Sequence, residues 1–179
     1  MNIYQIWVTY NKPWSKCEIC LLGVILMLTI IIVTFGVRKE KINVMQAISA
    51  CVLSIFLGIV FASTIFTRTT TVRQYELQLF WSWKKIIKYH DWELLKENLL
   101  NCILLLPVGA LMPLIVNHKV KWYRAVLIGI AVSAVIETSQ LILRRGLFEW
   151  DDMIHNGLGC MVGCLVVNRV REIGRKISK

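Results

Sequence analysis

Charged residues are scarce in this sequence. Asp, Glu, Lys and Arg make up 18% of its 179 residues, and hydrophobic residues make up 56%, whereas an ordinary soluble domain has about 25% charged residues. The hydrophobic residues stand in long uninterrupted runs, not in the stripes of a soluble amphipathic helix. The sequence therefore excludes an ordinary soluble domain and predicts an all-α, polytopic membrane helix bundle.

Acidic residues are few: 11 Asp and Glu stand against 21 Lys and Arg, which gives a formal net charge of +10. The basic residues do not line one face of a helix, as they do in many nucleic-acid-binding proteins. They form short clusters between the apolar runs, where the positive-inside rule and anionic headgroups favour them. We therefore expect membrane lipids as partners and no nucleic acid.

Motifs of common enzyme chemistry are absent too. The sequence has no nucleophilic serine motif, no phosphate-binding loop and no cluster of metal ligands. Four of the six cysteines fall inside apolar runs, where Cys acts as a small hydrophobic residue, and Cys17 and Cys20 form a C-x-x-C pair with no second pair. We expect no disulfide, metal or cofactor, and these residues do not by themselves indicate an enzyme.

Five apolar runs approach the length of about 20 residues that a helix needs to cross a bilayer. They cover residues 19–37, 44–66, 99–116, 125–143 and 153–167. The first run is too long for a signal-peptide core, so we expect it to be retained. The sequence shows no internal repeat.

The connection at residues 67–97 is rich in Trp, Tyr and Phe, with lysines between them. Such a mixture favours the headgroup layer and predicts an interfacial segment before the third span, helical around residues 83–95. The alternative is that these aromatic residues form only a generic belt that anchors the span ends.

Five spans place the two termini on opposite sides of the membrane. The raw numbers of basic residues on the two sides are nearly equal, but one set lies tight against the span ends, where positive charge has most influence on orientation. This set consists of Arg38, Lys39, Lys41, Lys119, Lys121, Arg124, Arg169, Arg171, Arg175, Lys176 and Lys179. The opposite side includes Lys12 and Lys16. We therefore predict an outside N-terminus and a cytoplasmic C-terminus.

Polar side chains inside the spans need compensation. Glu137 lies in the fourth run, with Gln140 one turn further along the same face. A charged carboxylate at the centre of a span costs about 2.5–3.5 kcal/mol on the insertion scale, so an intramembrane Glu favours a functional site.

Spans three to five are antiparallel neighbours, so the start of span three, the end of span four and the start of span five lie on one side of the membrane. Their polar residues fall in one layer when depth is counted at about 1.5 Å per residue. The layer predicts a ligand-binding pocket of Asn98, Asn101, Glu137, Gln140, Asp152 and Asn156. Its predicted rim consists of Arg144, Arg145, Glu149 and Asp151.

A structural role is the alternative for these polar groups, because interhelical hydrogen bonds are worth about 0.6–2 kcal/mol each. A charged rim and an intramembrane carboxylate at one level favour a functional site over packing alone. His155 points to a different face from Asp152 and Asn156, and we expect it at the rim or in helix packing.

Small residues and prolines predict how the helices pack. Pro107 and Pro113 flank Gly109 in the third run, so we expect a kink there. Gly159 and Gly163 form a G-x-x-x-G pattern in the fifth run, which permits close helix approach.

Two segments, ENLLNCILLLPVGALMPL and SAVIETSQLILRRGLFEWDDMIHNGLGCMVG, together resemble the VanZ-like membrane proteins, named for a teicoplanin resistance protein. The resemblance covers roughly residues 75–167. Two predicted N-terminal transmembrane helices, at residues 1–66, lie mostly outside it. Residues 67–179 then form the VanZ-like region, with the interfacial segment and three transmembrane helices. The family's characteristic polar residues fall on the six residues of the predicted pocket, while Glu149 stands where the family often has Asp.

The resemblance implies a cell-envelope role and, for some members, reduced sensitivity to the glycopeptide teicoplanin. We expect the protein to bind or alter a lipid-linked wall precursor. Two alternatives stay open: a membrane enzyme that uses Glu137 and Asp152 as an acid/base pair, and a small transporter or structural subunit of an envelope complex. The sequence does not indicate the oligomeric state or the identity of the ligand.

Overall fold

The computed structural model describes residues 14–68 and 72–177. Within these residues, five helical segments are long and apolar enough to cross a membrane, which confirms the predicted fold class. They are Lys16–Arg38, Val44–Phe66, Trp92–Ile115, Trp122–Leu143 and Trp150–Ile177. Two of the basic residues used to predict orientation, Lys12 and Lys179, lie outside the described residues.

The chain forms two compact units. The first contains the described residues up to Glu76 together with Val135–Phe148, and the second contains Leu77–Ala134 and the residues from Glu149 onward. The fourth span therefore contributes its last part to the first unit and its first part to the second.

Helix α1 (Lys16–Arg38) begins at Ser15, whose hydroxyl accepts a hydrogen bond from the Glu18 amide at 3.3 Å. The Glu18 carboxylate in turn accepts from the Ser15 amide at 2.7 Å. This reciprocal capping box satisfies two amides that would otherwise lack partners at the helix start. The polar residues just before the apolar run therefore set where the first span begins.

Helix α2 (Val44–Phe61) begins at a second capping box, between Asn43 and Gln46. It continues into a π-helical turn, Ala62–Phe66, which the Thr67 amide closes by donating to the Ala62 carbonyl at 2.9 Å. Such wide turns are rare and often lie at functional sites.

In the first unit, α1 packs against α2. A Cβ added at Gly58 would lie 2.3 Å from Leu22 Cδ1, so the Leu22 side chain would have to move if this glycine were replaced. The hydroxyls of Thr29 and Ser54 lie 3.2 Å apart between the two helices. Other apolar side chains of α1 point outward, as with Ile32 at 68% exposed, and this is the surface expected to face lipid.

The connection to the third span contains helix α3 (Trp81–Tyr89), where the sequence predicted one helix over residues 83–95. That prediction is wrong at its centre. His90 adopts a left-handed φ of 53° and ends α3, its amide donating to the Ile86 carbonyl at 2.8 Å. Asp91 then caps the next helix by accepting from the Leu94 amide at 3.2 Å.

The third span consists of two helices, α4 (Trp92–Leu104) and α5 (Leu106–Ile115), separated at Leu105. The interruption lies two residues before Pro107, whose ring removes a backbone donor and clashes with the preceding turn. The span begins at Trp92, earlier than the predicted residue 99, because its first turns are polar and yet helical.

Helix α6 (Trp122–Leu143) forms the fourth span, and helix α7 (Trp150–Ile177) forms the fifth. Between them, the short strand β2 (Leu147–Glu149) pairs with β1 (Gln74–Glu76), a pairing that the sequence did not predict. In the second unit, α7 packs along α4 and α5.

Candidate functional site

Asp151 is the most enclosed acidic residue of the second unit, with 1% of its surface exposed. One carboxylate oxygen accepts from the Phe80 amide at 2.6 Å. The other accepts from the Ser82 amide at 3.2 Å and from the Ser82 hydroxyl at 2.6 Å. The carboxylate therefore caps the start of α3, where unpaired amides favour a negative charge. The sequence predicted Asp151 at the rim of the pocket. In the structure these donors enclose it, so it is an interior residue.

Ser82 links Asp151 to the third span. Its hydroxyl oxygen accepts a hydrogen bond from Asn98 Nδ2 at 3.1 Å while its own proton goes to Asp151. Ser82 is fully buried and Asn98 is buried as well. Helices α3, α4 and α7 thus meet at one hydroxyl.

A second contact between α4 and α7 lies further along the third span. Asn101 Nδ2 donates to Asp152 Oδ1 at 2.5 Å. Both side chains are half-buried, and Asp152 has further polar contacts. A hydrogen bond to a carboxylate is stronger than one between neutral groups, so this contact fixes the orientation of Asp152.

Asn156 is buried one turn after Asp152, and its Nδ2 donates to Ser133 Oγ of α6 at 2.8 Å. Its carbonyl oxygen, Oδ1, is buried and has no hydrogen-bond partner among the described residues. The Asn156 side chain is therefore fixed by its Nδ2 donor, while its Oδ1 is free to accept a hydrogen bond.

His155 accepts a hydrogen bond at Nε2 from Trp83 Nε1, at 2.8 Å. A neutral imidazole that accepts at Nε2 has its proton on Nδ1. That Nδ1 group is buried and, within the part of the chain the structure describes, has no partner. His155, only 3% exposed, is an interior residue and not a rim residue.

We call these residues of the second unit the polar cluster: Ser82, Asn98, Asn101, Asp151, Asp152, His155 and Asn156. Sequence reasoning missed Ser82 because one serine among aromatic residues has no distinguishing pattern. The sequence does contain a pattern that could have predicted His155 in the cluster: Asp151 and His155 are four residues apart and share a helical face.

The other two predicted pocket residues, Glu137 and Gln140, belong to the first unit. Both are buried. Gln140 Nε2 donates to the Thr64 carbonyl at 3.2 Å, within the π-helical turn, and Glu137 also has polar contacts. One carbonyl of the π-helical turn thus accepts a hydrogen bond from a side chain of the fourth span.

Arg145 contacts the same turn. Its Nη1 donates to the Ile65 and Phe66 carbonyls, both at 3.3 Å, at the C-terminal end of the second span. A cation at this position satisfies carbonyls that lack helical partners. Arg144 has a left-handed φ of 57° at the end of α6, and Glu149 is half-buried at the end of β2. Each of these two has polar contacts.

Three glycines lie where the helices of the second unit approach most closely. A Cβ on Gly109 would lie 1.7 Å from the Cys160 carbonyl oxygen, and one on Gly159 would lie 1.7 Å from that of Cys102. A Cβ on Gly163 would lie 2.0 Å from the Leu106 oxygen. Backbone therefore packs on backbone along α7. Pro113, inside α5, is buried and accepts a hydrogen bond at its carbonyl from Arg171.

Metal-binding side chains are not grouped in the described residues: no three of His, Cys, Asp and Glu lie together as a metal site would require. The polar cluster instead offers carboxylates, amides and an imidazole. Such groups can bind the hydroxyl and amide groups of an organic ligand.

Comparison with protein families matches the chain to the VanZ/LLP1 family over residues 19–171. The match begins in the first span, so it includes the two N-terminal helices that the resemblance had left mostly outside. Comparisons with curated proteins and with solved structures find no match. The family match covers most of the chain, and this multi-pass membrane protein therefore belongs to the VanZ/LLP1 family.

Proposed function

We propose that this protein lowers the susceptibility of its host to teicoplanin by binding a lipid-linked wall precursor at the outer face of the cell membrane. The polar cluster is the proposed binding site. Membership of the VanZ/LLP1 family supports the envelope role, and the cluster supports a ligand with a polar headgroup.

The observation that carries the proposal is the set of unpaired polar atoms in the cluster. Buried polar groups that serve only to hold helices together find partners within the protein. Here Asn156 Oδ1, an acceptor, and His155 Nδ1, a donor, are buried without partners among the described residues. Neighbouring positions of a helix point to different faces, so the two atoms are separate unused contacts, and Asn156 lies on the face that also carries Asp152. The unused acceptor of Asn156 suits a ligand hydroxyl or amide.

The residue roles follow from charge. Asp151 is enclosed and positions α3, whereas Asp152 is half-buried and oriented by Asn101. Asp152 and Asn156 would therefore contact hydroxyl and amide groups of the headgroup. The phosphates of such a ligand need cations, and the sequence-based prediction of Arg144 or Arg145 for this role concerns the first unit, where Arg145 already donates to the Ile65 and Phe66 carbonyls. Glu137, which is buried in the first unit, stays a predicted functional carboxylate.

The test is teicoplanin susceptibility of a sensitive host that expresses either the wild type or Asp152→Asn. This variant keeps the side-chain shape and removes the charge, so we expect resistance to fall to the level of the empty vector. Glu97→Gln is the matched control, because it makes the same chemical change at an exposed position of α4. The control should retain full resistance.

Equal membrane levels and equal elution from a sizing column establish that both variants fold. Wild-type protein that leaves susceptibility unchanged would contradict the proposal. Turnover of a wall lipid by the purified protein would favour the alternative of a membrane enzyme, and a stable hetero-partner in crosslinking would favour a structural subunit.

A further inference from the structure

A cavity of about 260 Å³ lies at the C-terminal end of α7, in the second unit. It is lined by residues of the last turns of α7 and by one residue of the connection before α6. The lining residues are Lys119, Asn168, Arg171, Glu172, Arg175 and Lys176. We call this cavity the basic pocket.

The walls of the basic pocket are held in place by hydrogen bonds. Asn168 accepts from the Val120 amide at 3.2 Å and donates to the Val120 carbonyl at 2.8 Å. Arg171 donates to the Pro113 carbonyl and to Asn117 Oδ1, the latter at 2.7 Å. These contacts join α7 to the connection, so the pocket is formed before any ligand arrives.

The charge of the pocket is strongly positive. Four cationic side chains and one carboxylate line it, which leaves a net charge of +3. Glu172 lies 3.9 Å from both Lys119 and Lys176, at largely exposed positions, and ion pairs of this kind are weak. Arg175 has no ion pair with a carboxylate among the residues that the structure describes.

The depth of the pocket matches a headgroup layer. Arg171 follows Asp151 by 20 positions on one continuous helix, a rise of about 30 Å, which equals the thickness of the hydrocarbon core. The basic pocket and the polar cluster therefore lie at opposite ends of α7. A preformed cationic pocket at this depth suits a lipid phosphate with net negative charge.

We propose that the basic pocket binds the phosphate group of an anionic phospholipid headgroup. Arg171 already donates hydrogen bonds to two acceptors within the protein. The positive charge that binds the phosphate therefore comes from Lys119, Arg175 and Lys176. The positive-inside rule alone explains basic residues near a span end, but it requires neither a cavity nor a connection fixed to the helix. This site does not depend on the function proposed for the polar cluster.

The test uses the full chain in nanodiscs that contain equal amounts of phosphatidylglycerol and phosphatidylcholine, with bound lipid measured by native mass spectrometry. We expect the wild type to retain phosphatidylglycerol preferentially. The double variant Arg175→Gln, Lys176→Gln should lower this preference about thirtyfold, since each basic residue near a membrane surface contributes on the order of 1 kcal/mol of attraction to anionic lipid.

The control removes two equal charges outside the pocket, in Lys121→Gln with Arg124→Gln. Glu172→Gln should act in the opposite direction and raise retention, because it removes the competing carboxylate. Equal losses in the pocket and control variants would overturn the proposal, as would an unchanged preference in the pocket variant. Displacement of phosphatidylglycerol by inorganic phosphate alone would overturn the lipid assignment and leave a site for free phosphate.

Discussion

Asp151 accepts three hydrogen bonds in the second unit while almost none of its surface is exposed. Asp151→Asn places an NH₂ group against donors that need an acceptor, and each buried donor left unpaired costs about 1–3 kcal/mol. We expect the variant to lose about 2–4 kcal/mol of stability. The midpoint of unfolding in a titration of detergent-purified protein with sodium dodecyl sulfate measures the loss.

Ser82→Ala gives the comparison for this prediction. It removes one hydroxyl and keeps the Ser82 amide, so it should cost about 1–2 kcal/mol, less than Asp151→Asn. If Asp151→Asn unfolds at the wild-type midpoint, the carboxylate does not hold α3 in the way the distances indicate.

Single residues of the site differ in how far the sequence could predict them. Asn98, Asn101, Asp152 and Asn156, which the structure places in the polar cluster, were predicted together because polar residues at spacings of three or four in an apolar run are unusual. Ser82 was not, because its importance comes from the approach of a distant carboxylate. Spacing gives the face of a helix, whereas the enclosure of a side chain depends on what packs over that face.

The start of α4 depends on Asp91, which accepts from the Leu94 amide and lies 3.3 Å from Lys85. The backbone hydrogen bond from Leu94 holds the pKa of Asp91 below its ordinary value of 3.8, with Lys85 adding to the effect. A lowered pKa stabilises the folded helix start above the unfolded pKa. That contribution is lost as the pH falls through the folded pKa.

We therefore expect the amides of the first turn of α4 to exchange faster with solvent as the pH drops below about 4, relative to their intrinsic rates. Asp91→Asn keeps a capping oxygen but cannot titrate. In this variant, the protection of the same amides from exchange should therefore not change in this pH range. Hydrogen exchange followed by mass spectrometry makes the comparison. The same acid dependence in both proteins would show that another group is responsible.

Close packing of α7 against the third span rests on glycine. Gly159→Ala would place a methyl group 1.7 Å from the Cys102 carbonyl oxygen, so the helices must separate. We expect a loss of about 1–3 kcal/mol or more in detergent unfolding.

Gly174→Ala is the control on the same helix, because a Cβ there meets nothing within 4 Å. It should be neutral or stabilising by about 0.5–1 kcal/mol, since Ala favours the helix over Gly. Equal effects of the two substitutions would contradict the close approach.

At the scale of elements, the sequence predicted all five spans because an uninterrupted apolar run of bilayer-spanning length is rare outside transmembrane helices. Their ends were less predictable. The third span starts at Trp92 because a polar first turn is capped by Asp91, and α3 stops at Tyr89 because His90 is left-handed. Neither feature has a clear signature in composition.

The orientation of the whole molecule remains a prediction: the N-terminal side outside, the C-terminal side in the cytoplasm. Cys17 and Cys20 are exposed at the start of α1 and provide a direct probe. A membrane-impermeant maleimide should label them in intact cells. Lys119→Cys, in a chain that lacks Cys17 and Cys20, should react only after the membrane is permeabilised. The reverse pattern would invert the assignment.

For the whole molecule, counting residues along antiparallel spans placed Asn101 and Asn156 in one layer, with Asp152 one turn nearer the membrane surface. In the structure Asn101 donates to Asp152 and not to Asn156. The strand pairing of β1 with β2 was not predictable, because each strand has only three residues. The division into two units was not predictable either, since one of its boundaries, between Ala134 and Val135, falls inside the fourth apolar run.

Binding of a lipid-linked wall precursor to the purified protein in nanodiscs shows whether the polar cluster is a ligand site. The wild type should bind it, and Asp152→Asn should weaken binding by about tenfold, the effect of losing one charge-assisted hydrogen bond of about 1.5 kcal/mol. Glu97→Gln should bind as the wild type does. Equal binding by all three proteins, or no binding by the wild type, would contradict the assignment of the polar cluster as the ligand site.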